Sequence, residues 1–361
     1  MMKICFFADG KTIHTQRWVN YFVDKGYEVS LISSTPYRYK SLKFYLLKSY
    51  TNNRYFNFLG YCLQINKIIN KIKPDIIHSH YATIYGFFGA LSNFHPLVVS
   101  VWGSDVLVEP KKSRILKGLT QHALKKADLI TCDGENTKNA TIELGINIEK
   151  IKIIYHGVDT KKFKANKKDK KFIKNLFGGN FPIVISIRTL RPIYNVETLI
   201  RAIPLILKKI PKVKFIIAGK GEQKKYLMNL AKSLCIFNAI RFTGAIPHND
   251  LPKYLASSDV YVSTSLSDGG IAVSTLEAMA CELAPVVTDI GDNKKWIKDG
   301  ENGFIIPIKN PKKLAEKIIY LLENKDIRKK FGEINRKIIK EKQNYYKEME
   351  KMETLYKKLI R

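Results

Sequence analysis

The chain lacks any apolar run long enough to cross a bilayer, and its cysteines are few. No window of its 361 residues approaches the roughly 18 consecutive apolar residues that a spanning helix needs. The apolar run near the N-terminus, Ile4–Ala8, is too short for the core of a secretory signal. The five cysteines are scattered, odd in number and contain no CxxC pair, which argues against a disulfide framework and a zinc site. These features predict a cytoplasmic, reduced protein without a metal site.

Acidic residues are also scarce. Lysine and arginine number 62 against 32 acidic residues, so the formal net charge is +30, spread over the whole length. Two interpretations stay open: a lysine-rich proteome, or attraction to a polyanion such as an anionic membrane surface or nucleic acid. No zinc-finger or RRM signature is present, so nucleic acid is not an expected partner.

Strand-like and helix-like segments alternate along the chain, and this alternation indicates βαβ units and parallel sheets. The length favours two domains, and a lysine-rich stretch between Thr160 and Lys174 is the predicted linker. The predicted fold is therefore α/β, with two Rossmann-like doubly wound domains facing across a cleft. We expect an N-terminal domain over residues 1–165 and a C-terminal domain over 166–344. The helix at about 345–361 is expected to pack back on the first domain.

The stretch Ser263–Asp289 reads STSLSDGGIAVSTLEAMACELAPVVTD. A buried strand, Val260–Ser263, leads into a loop whose glycines, Gly269 and Gly270, can take positive φ angles and let another molecule approach the backbone. Ser274 and Glu277 fit a capping box that opens the next helix. A glycine loop and a helix N-terminus present free N–H groups to a ligand, so this stretch predicts a site for a phosphate-bearing molecule.

The motifs WGSDV, YHGVD, an arginine loop after a strand, AGKGE, SDGG and LEAMA occur in this order. In this order they resemble those of the retaining, nucleotide-sugar-dependent glycosyltransferases of family four, which have the two-domain GT-B fold. The resemblance covers nearly the whole chain and is most specific in the C-terminal half. It implies metal-independent sugar transfer without a cofactor, with the donor in the C-terminal domain and the acceptor in the N-terminal domain.

The resemblance also implies roles for residues around the donor. Arg188 corresponds to a phosphate-contacting arginine; a solvated or ion-paired loop arginine is the alternative. The family's second cation, a lysine a few residues later, is replaced here by Tyr194, and Arg191 is a candidate substitute. The remaining donor-side residues are glycines and loop amides: Gly10, Gly219, Gly269, Gly270, Ile271 and Ala272.

Two carboxylates are candidates beside the donor. Glu277 resembles the family's ribose-binding glutamate, although helix capping alone would also explain it. Asp268 stands near the place of the acidic residue that holds the sugar hydroxyls, but it is shorter and one residue further from Glu277. Either Asp268 or the neighbouring amides could therefore hold the sugar. With Arg188, these residues form the predicted catalytic set.

On the acceptor side, the candidates are His14, Arg17, Trp102, Asp105 and His156. Trp102 can stack on a sugar ring or fill the core, and Asp105 can fix a loop or accept a proton. The segment Tyr37–Asn57 mixes cations with aromatic residues, so it is expected to form a helix. That helix lies on an anionic membrane surface or packs its apolar face on the sheet.

The sequence thus predicts a retaining hexosyltransferase that uses a nucleotide-diphosphate sugar and a glycan or lipid-linked glycan acceptor. We expect it in the cytoplasm, with peripheral attachment to the inner face of the membrane as a further expectation. A basic nucleic-acid-binding protein on a Rossmann scaffold and a catalytically decayed relative are the alternatives.

Overall fold

The computed structural model of the protein describes residues 1–37, 42–48, 54–165 and 168–360, and its side-chain description omits residues 54–59. These residues form two compact units. Unit 1 contains Met1–His156 and Lys347–Arg361, and unit 2 contains Gly157–Tyr346. The chain therefore passes from unit 1 to unit 2 somewhat earlier than the expected boundary at residue 165.

Unit 1 is built on a parallel sheet of seven strands within the described residues. The strands are β1 (Lys3–Phe7), β2 (Glu28–Ser33), β3 (Lys43–Leu46), β4 (Ile76–His80), β5 (Leu97–Val101), β6 (Leu129–Cys132) and β7 (Ile151–Ile153). Their order is β3-β2-β1-β4-β5-β6-β7. In register, Ile4 of β1 pairs with Val29 on one side and with Ile76 on the other.

The helices of unit 1 cover the two faces of this sheet. They are α1 (Ile13–Asp24), α2 (Arg54–Ile72), α3 (Phe87–Leu91), α4 (Ser104–Leu107), α5 (Glu109–Lys112), α6 (Arg114–Lys126) and α7 (Glu135–Glu143), with a π-helical turn at Ala82–Gly86. A sheet covered by helices on both faces has buried strands, and the central strands β4 and β5 are buried at every position.

Unit 2 repeats the architecture with six parallel strands within the described residues. The strands are β8 (Ile183–Ile187), β9 (Lys214–Ala218), β10 (Ile240–Gly244), β11 (Val260–Ser263), β12 (Ala284–Thr288) and β13 (Phe304–Ile306). Their order is β10-β9-β8-β11-β12-β13. Ile185 of β8 pairs with Ile216 of β9 and with Tyr261 of β11.

The helices of unit 2 are α8 (Lys170–Phe177), α9 (Val196–Lys209), α10 (Lys224–Ser233), α11 (Leu251–Ala256), α12 (Val273–Ala280), α13 (Asn293–Trp296), α14 (Pro311–Glu323) and α15 (Lys325–Lys342). The sequence signals at α14 are confirmed. Asn310 caps it by accepting from the Lys313 N–H at 2.9 Å, and its stripe of Leu314, Ile318 and Leu321 is fully buried.

The last helix, α16 (Tyr345–Leu359), packs from Lys347 onward within unit 1. The Tyr356 hydroxyl hydrogen-bonds to Nδ1 of His78 in β4, and the Tyr27 hydroxyl donates to Glu353 at 2.7 Å. These contacts tie the end of the chain to the first sheet. None of the helices described is both long and apolar enough to span a bilayer.

Both sheets reverse their strand order beside a central strand. β1 lies between β2 and β4 in unit 1, and β8 lies between β9 and β11 in unit 2. In doubly wound sheets, ligands bind at the carboxyl ends of the strands where the order reverses. The loops after β1, β4, β8 and β11 are therefore the places where each unit offers a site.

Two local expectations were wrong. The helix predicted over Tyr37–Asn57 is formed only at the end of that segment, where α2 begins at Arg54; Lys43–Leu46 is a strand, and residues 38–41 and 49–53 lie outside the description. Ser274 is no N-cap, because α12 begins at Val273 after Ala272, and the Ser274 hydroxyl instead contacts the Tyr261 hydroxyl at 2.8 Å. Neither Gly269 nor Gly270 uses the positive φ angles that glycine allows.

Candidate active site

Arg188 follows β8 in unit 2, and two neighbours hold its guanidinium. Nη2 donates to Oδ1 of Asp268 at 2.5 Å, and the Tyr194 ring centre lies 4.3 Å from Cζ, within cation–π range. The Arg188 and Asp268 side chains are only 10% and 13% exposed, so water screens the pair weakly. Burial disfavours the charged form of Arg188, but Asp268, Tyr261 and Tyr194 outweigh this effect and raise its pKa. Arg188 is therefore a permanent cation.

The loop that carries Asp268 is anchored on two sides. The Leu266 N–H donates to the Ile193 carbonyl at 2.8 Å, which joins this loop to the one after β8. On the other side Gly291 has a φ of 51°, and a Cβ there would lie 2.5 Å from the Gly270 carbonyl oxygen and 3.0 Å from that of Asp268. Only glycine allows so close a backbone approach at this φ. The position of the Asp268 carboxylate is thus largely set by its backbone.

Glu277 lies in α12 and belongs to a second polar cluster of unit 2. Its Oε1 is 2.9 Å from Nε2 of His248, and the Glu277 side chain is 6% exposed. Nδ1 of His248 lies 2.9 Å from Nζ of Lys162, which also donates to Asn249 at 2.8 Å. Because an ammonium group only donates, this arrangement requires the His248 proton on Nε2, directed at Glu277. Oε2 of Glu277 accepts no hydrogen bond from the described residues.

The amide groups between these clusters are open. The N–H groups of Gly270, Ile271 and Ala272 donate no hydrogen bond to any residue in the described part of the chain. They precede the N-terminus of α12, where a helix attracts anions. Ile271 and Ala272 are nonetheless 7% and 8% exposed, so their amides lie in a partly sheltered place.

The other donor-side candidates differ in what they offer. The Gly219 N–H already donates to the Gly244 carbonyl at 2.8 Å, and a Cβ at Gly219 would lie 2.0 Å from the Arg188 carbonyl oxygen. Gly219 thus lets the two loops pack together. The Gly10 N–H donates to the Ser33 hydroxyl at 3.0 Å, so this amide is also occupied. Arg191 has an exposed side chain and is not in the Arg188 cluster.

In unit 1, four of the five acceptor-side candidates lie together with a residue of β4. The rings of His14 and His156 are 4.4 Å apart, and Trp102 lies 5.7 Å and 5.6 Å from them. Arg17 donates to the His156 carbonyl at 3.0 Å. His80, at the end of β4, lies 4.5 Å from Trp102 and is 1% exposed. We call His14, His80, Trp102 and His156 the imidazole–indole cluster.

The buried histidines of unit 1 are neutral. Burial lowers the pKa of His78 to about 3 and those of His80 and His156 well below the ordinary value. Neither ring nitrogen of His80 has a hydrogen-bond partner among the described residues. This end of the first sheet therefore presents aromatic rings and neutral imidazoles, with Arg17 and Asp133 as the charged neighbours of His156.

Asp105, the fifth candidate, makes contacts of the loop-fixing kind. It is fully buried and accepts from the Ala82 N–H at 2.9 Å and from the Trp102 N–H at 3.1 Å. These bonds join the loops that follow β4 and β5. Burial raises its pKa to about 6, although the two N–H donors oppose that change.

Sequence reasoning missed His248 and Lys162 and gave Tyr194 no positive role. His248 is separated from Glu277 by 29 positions, and only the fold brings them together. The one signal was its place in the loop that follows β10, in the sequence PHND. Within the described ranges, no group of three or more histidine, cysteine or acidic side chains could hold a metal ion.

Two family models match the chain. The model described as Glycosyl transferases group 1 matches residues 167–338, and the one described as Glycosyl transferase 4-like matches residues 3–134. With the two parallel-sheet units and the order of motifs, these matches define the class of protein. The chain belongs to the family-four type of glycosyltransferase with the GT-B fold.

The chain is similar to several glycosyltransferases, some with a named activity and some without. An uncharacterized glycosyltransferase of Methanocaldococcus jannaschii is 31% identical over 65% of this chain and 60% of its own length. The Escherichia coli UDP-Gal:alpha-D-GlcNAc-diphosphoundecaprenol alpha-1,3-galactosyltransferase is 28% identical over 81% of this chain and 78% of its own. Anabaena HepE, crystallised with UDP and glucose, superposes with a TM-score of 0.86 at 19% identity, covering 99% of this chain and 100% of that one. The protein is thus a sugar-transferring enzyme by family.

Proposed function

We propose that the protein transfers a hexose from a nucleotide-diphosphate sugar to a glycan or lipid-linked glycan acceptor, with retention of the anomeric configuration. The observation that carries the proposal is the pair of clusters in unit 2. A buried, permanent cation at Arg188 suits a diphosphate, and the free Oε2 of Glu277 suits the hydroxyls of a ribose. The solved structure of HepE contains UDP and glucose, which is the same class of ligand.

The chemistry follows from the charges. As the bond from the anomeric carbon to the diphosphate breaks, negative charge grows on the leaving oxygen, and Arg188 and the amides of Gly270, Ile271 and Ala272 stabilise it. The acceptor hydroxyl forms the new bond on the same face of the sugar, and its proton passes to the leaving phosphate. This front-face route keeps the configuration and needs no enzymic base. It also needs no metal, because Arg188 supplies the positive charge.

On the acceptor side, we assign the imidazole–indole cluster of unit 1. Neutral imidazoles accept and donate hydrogen bonds to hydroxyl groups, and an indole face packs on the apolar face of a sugar ring. The E. coli relative is named for a lipid-diphosphate-linked acceptor, which supports an acceptor of this kind. Gly10, with its occupied amide, is assigned a turn-forming role beside this site.

A ligand panel tests the proposed function. UDP-, GDP- and ADP-sugars are screened by thermal shift, and each hit is incubated with the protein while release of the nucleoside diphosphate is measured. We expect one base to raise the melting temperature and to be released from its sugar, with unchanged rates in EDTA. NMR of a product glycoside should show the anomeric configuration of the donor. A chain that binds duplex DNA tightly but no nucleotide sugar, or that hydrolyses none, would contradict the proposal.

We further propose that the enzyme works at an anionic membrane surface through α6. This helix has no acidic residue, and Ile115 in its first turn is 75% exposed. Arg114 and Lys117 of α6 and Lys111 of the preceding helix α5 are also exposed. Cations attract lipid phosphates while the apolar side chain enters the interface. We assign the membrane contact to this surface and not to the segment Tyr37–Asn57, which contains the strand Lys43–Leu46.

Cosedimentation with liposomes tests the surface. We expect binding to anionic vesicles at low salt and release at high salt. Changing Lys111, Arg114 and Lys117 together to glutamine should abolish binding, whereas the matched triple change of the exposed Lys208, Lys209 and Lys212 in unit 2 should not. Equal loss in both variants would mean that only total charge matters.

A further inference from the structure

Asp268 and a diphosphate both bind the edge of the Arg188 guanidinium. The guanidinium edge binds carboxylates and phosphates with similar geometry and with charge-assisted hydrogen bonds. In the structure the Asp268 carboxylate occupies this edge: Nη2 of Arg188 donates to Oδ1 of Asp268 at 2.5 Å. The Tyr194 ring covers one face of the guanidinium, which leaves the edge as the main route for an anion.

The backbone that carries the Asp268 carboxylate is fixed. The Gly291 turn and the bond from the Leu266 N–H to the Ile193 carbonyl hold the loop in place. Rotation of the short aspartate side chain can release the Arg188 hydrogen bond, but it keeps the negative charge close to the guanidinium. A phosphate that approaches Arg188 therefore meets Asp268 as a fixed negative neighbour.

Two like charges beside one cation repel each other strongly where water is scarce. Arg188 and Asp268 are about nine-tenths buried, so this repulsion is poorly screened. A carboxylate that served the sugar would need its oxygens directed at hydroxyl groups. Here one oxygen is committed to the arginine.

We propose that Asp268 is the counter-ion of Arg188 in the donor-free enzyme and competes with the donor's phosphates, rather than holding the donor's sugar. This inference rests on the proposed function, because it takes Arg188 as the phosphate contact. The pair keeps Arg188 charged and oriented when no donor is bound, and it weakens donor and product binding alike. Weaker binding of the leaving nucleoside diphosphate favours its release.

The Asp268→Asn change separates the two roles by the sign of its effect. Asparagine keeps an oxygen for the Arg188 hydrogen bond but removes the competing charge. If Asp268 is a counter-ion, losing its charge should raise the affinity for the free nucleoside diphosphate about tenfold. If Asp268 holds the sugar, losing its charge should leave the affinity for UDP, GDP or ADP unchanged and lower only the affinity for the nucleotide sugar.

The experiment is calorimetric titration of the purified full-length chain with UDP, GDP and ADP and with the corresponding glucose nucleotides. Asp289→Asn is the matched control: it removes one carboxylate that pairs with Lys294 at 2.5 Å and is 45% exposed. Tighter binding of the diphosphate in Asp268→Asn and not in Asp289→Asn supports the inference. Unchanged or weaker diphosphate binding, or an equal gain in both variants, overturns it. If the wild-type chain binds none of the six probes, the proposed function itself fails.

A measurement on the wild-type chain covers the case in which Asp268→Asn does not fold. In nitrogen-15 spectra of arginine side chains, the Arg188 guanidinium should exchange slowly with water while it is paired. Titration with the nucleoside diphosphate should move this signal as the partner changes from carboxylate to phosphate. A signal that stays unchanged at saturating diphosphate contradicts the exchange of partners.

Discussion

The two units place opposite chemistry at the same position of the same kind of sheet. In unit 1 the strand ends carry His80, Trp102 and His156, whose neighbourhood is aromatic and whose imidazoles are neutral because burial lowers their pKa. In unit 2 the loops after the corresponding strands carry the ion pair of Arg188 and Asp268, and the helix that follows, α12, carries the carboxylate of Glu277. A doubly wound sheet thus supplies a place for a ligand, and the side chains at its strand ends determine what kind of ligand fits.

The difference agrees with a division of labour between a charged substrate and an uncharged one. A nucleotide diphosphate needs a cation that remains charged despite burial, and Arg188 is such a cation. An acceptor hydroxyl needs surfaces that bind it without ionising, which the imidazole–indole cluster offers. The substitutions below test whether the two units differ in this way.

The largest effect should come from Arg188→Ala. Removing the cation that faces the leaving group should lower turnover on the order of 100-fold or more. It also leaves Asp268 buried without its partner, so we expect a lower melting temperature as well. Turnover of the nucleotide sugar is measured beside circular dichroism, with Arg201→Ala as control, since Arg201 is 48% exposed and forms an ion pair with Glu197 four residues away. Near-normal turnover in Arg188→Ala would remove Arg188 from the site.

Glu277→Gln should act on donor binding. The amide keeps an oxygen for His248, but its NH₂ group cannot accept from a ribose hydroxyl as Oε2 does. We expect the donor KM to rise by roughly 10- to 50-fold, because a charge-assisted hydrogen bond is lost, with kcat changed much less. Steady-state kinetics on the donor identified by the panel measures this, with the exposed Glu316→Gln as control. An unchanged KM would leave Glu277 as a structural residue of α12.

The neutral histidines of unit 1 should make stability depend on pH. The folded-state pKa values of His78, His80 and His156 lie below the unfolded value near 6.5. The unfolded chain therefore binds more protons below that pH, and stability is lost as pH falls from 7 towards 5. Each histidine that binds a proton only in the unfolded chain lowers the free energy of unfolding by at most ~1.4 kcal/mol for every unit that the pH falls. Asp105 has the opposite effect on stability below pH 6. Its pKa is raised to about 6 in the folded protein, so the folded chain binds this proton more readily than the unfolded chain.

Melting temperatures between pH 7 and 5 test this dependence. His80→Phe should reduce the loss of stability between pH 7 and 5 by up to the contribution of one proton, because the buried imidazole that resists protonation is gone. His122→Gln, at an exposed position, should leave the slope as it is. A slope that is equal in all three proteins would show that His80 is protonated in the folded state.

The smallest effect should come from His248→Ala. His248 orients Glu277 without reaching the ligand itself, so the donor KM should rise only about five- to tenfold, corresponding to the loss of one hydrogen bond. In a Glu277→Gln background the same change should add little, because the two residues act through one contact. Full additivity of the two changes would separate His248 from Glu277.

The sequence was most informative where local patterns decide structure. Helix α14 shows this, since its cap at Asn310 and its apolar stripe are properties of neighbouring residues. The capping box at Ser274 failed because a distant group, the Tyr261 hydroxyl of β11, engages the serine, and no local pattern shows that contact. The link from Lys162 through His248 to Glu277 was hidden for the same reason. Family resemblance identified Arg188 as a candidate, but its pairing with Asp268 needed coordinates.

Hydrogen–deuterium exchange with the nucleoside diphosphate selected by the panel shows which unit binds the donor. We expect the largest protection on unit 2 peptides covering Arg188, Asp268–Ala272 and Glu277, and we expect Arg188→Ala to remove it. Protection confined to peptides of residues 1–156, with none in unit 2, would contradict the assignment of the donor to the second sheet.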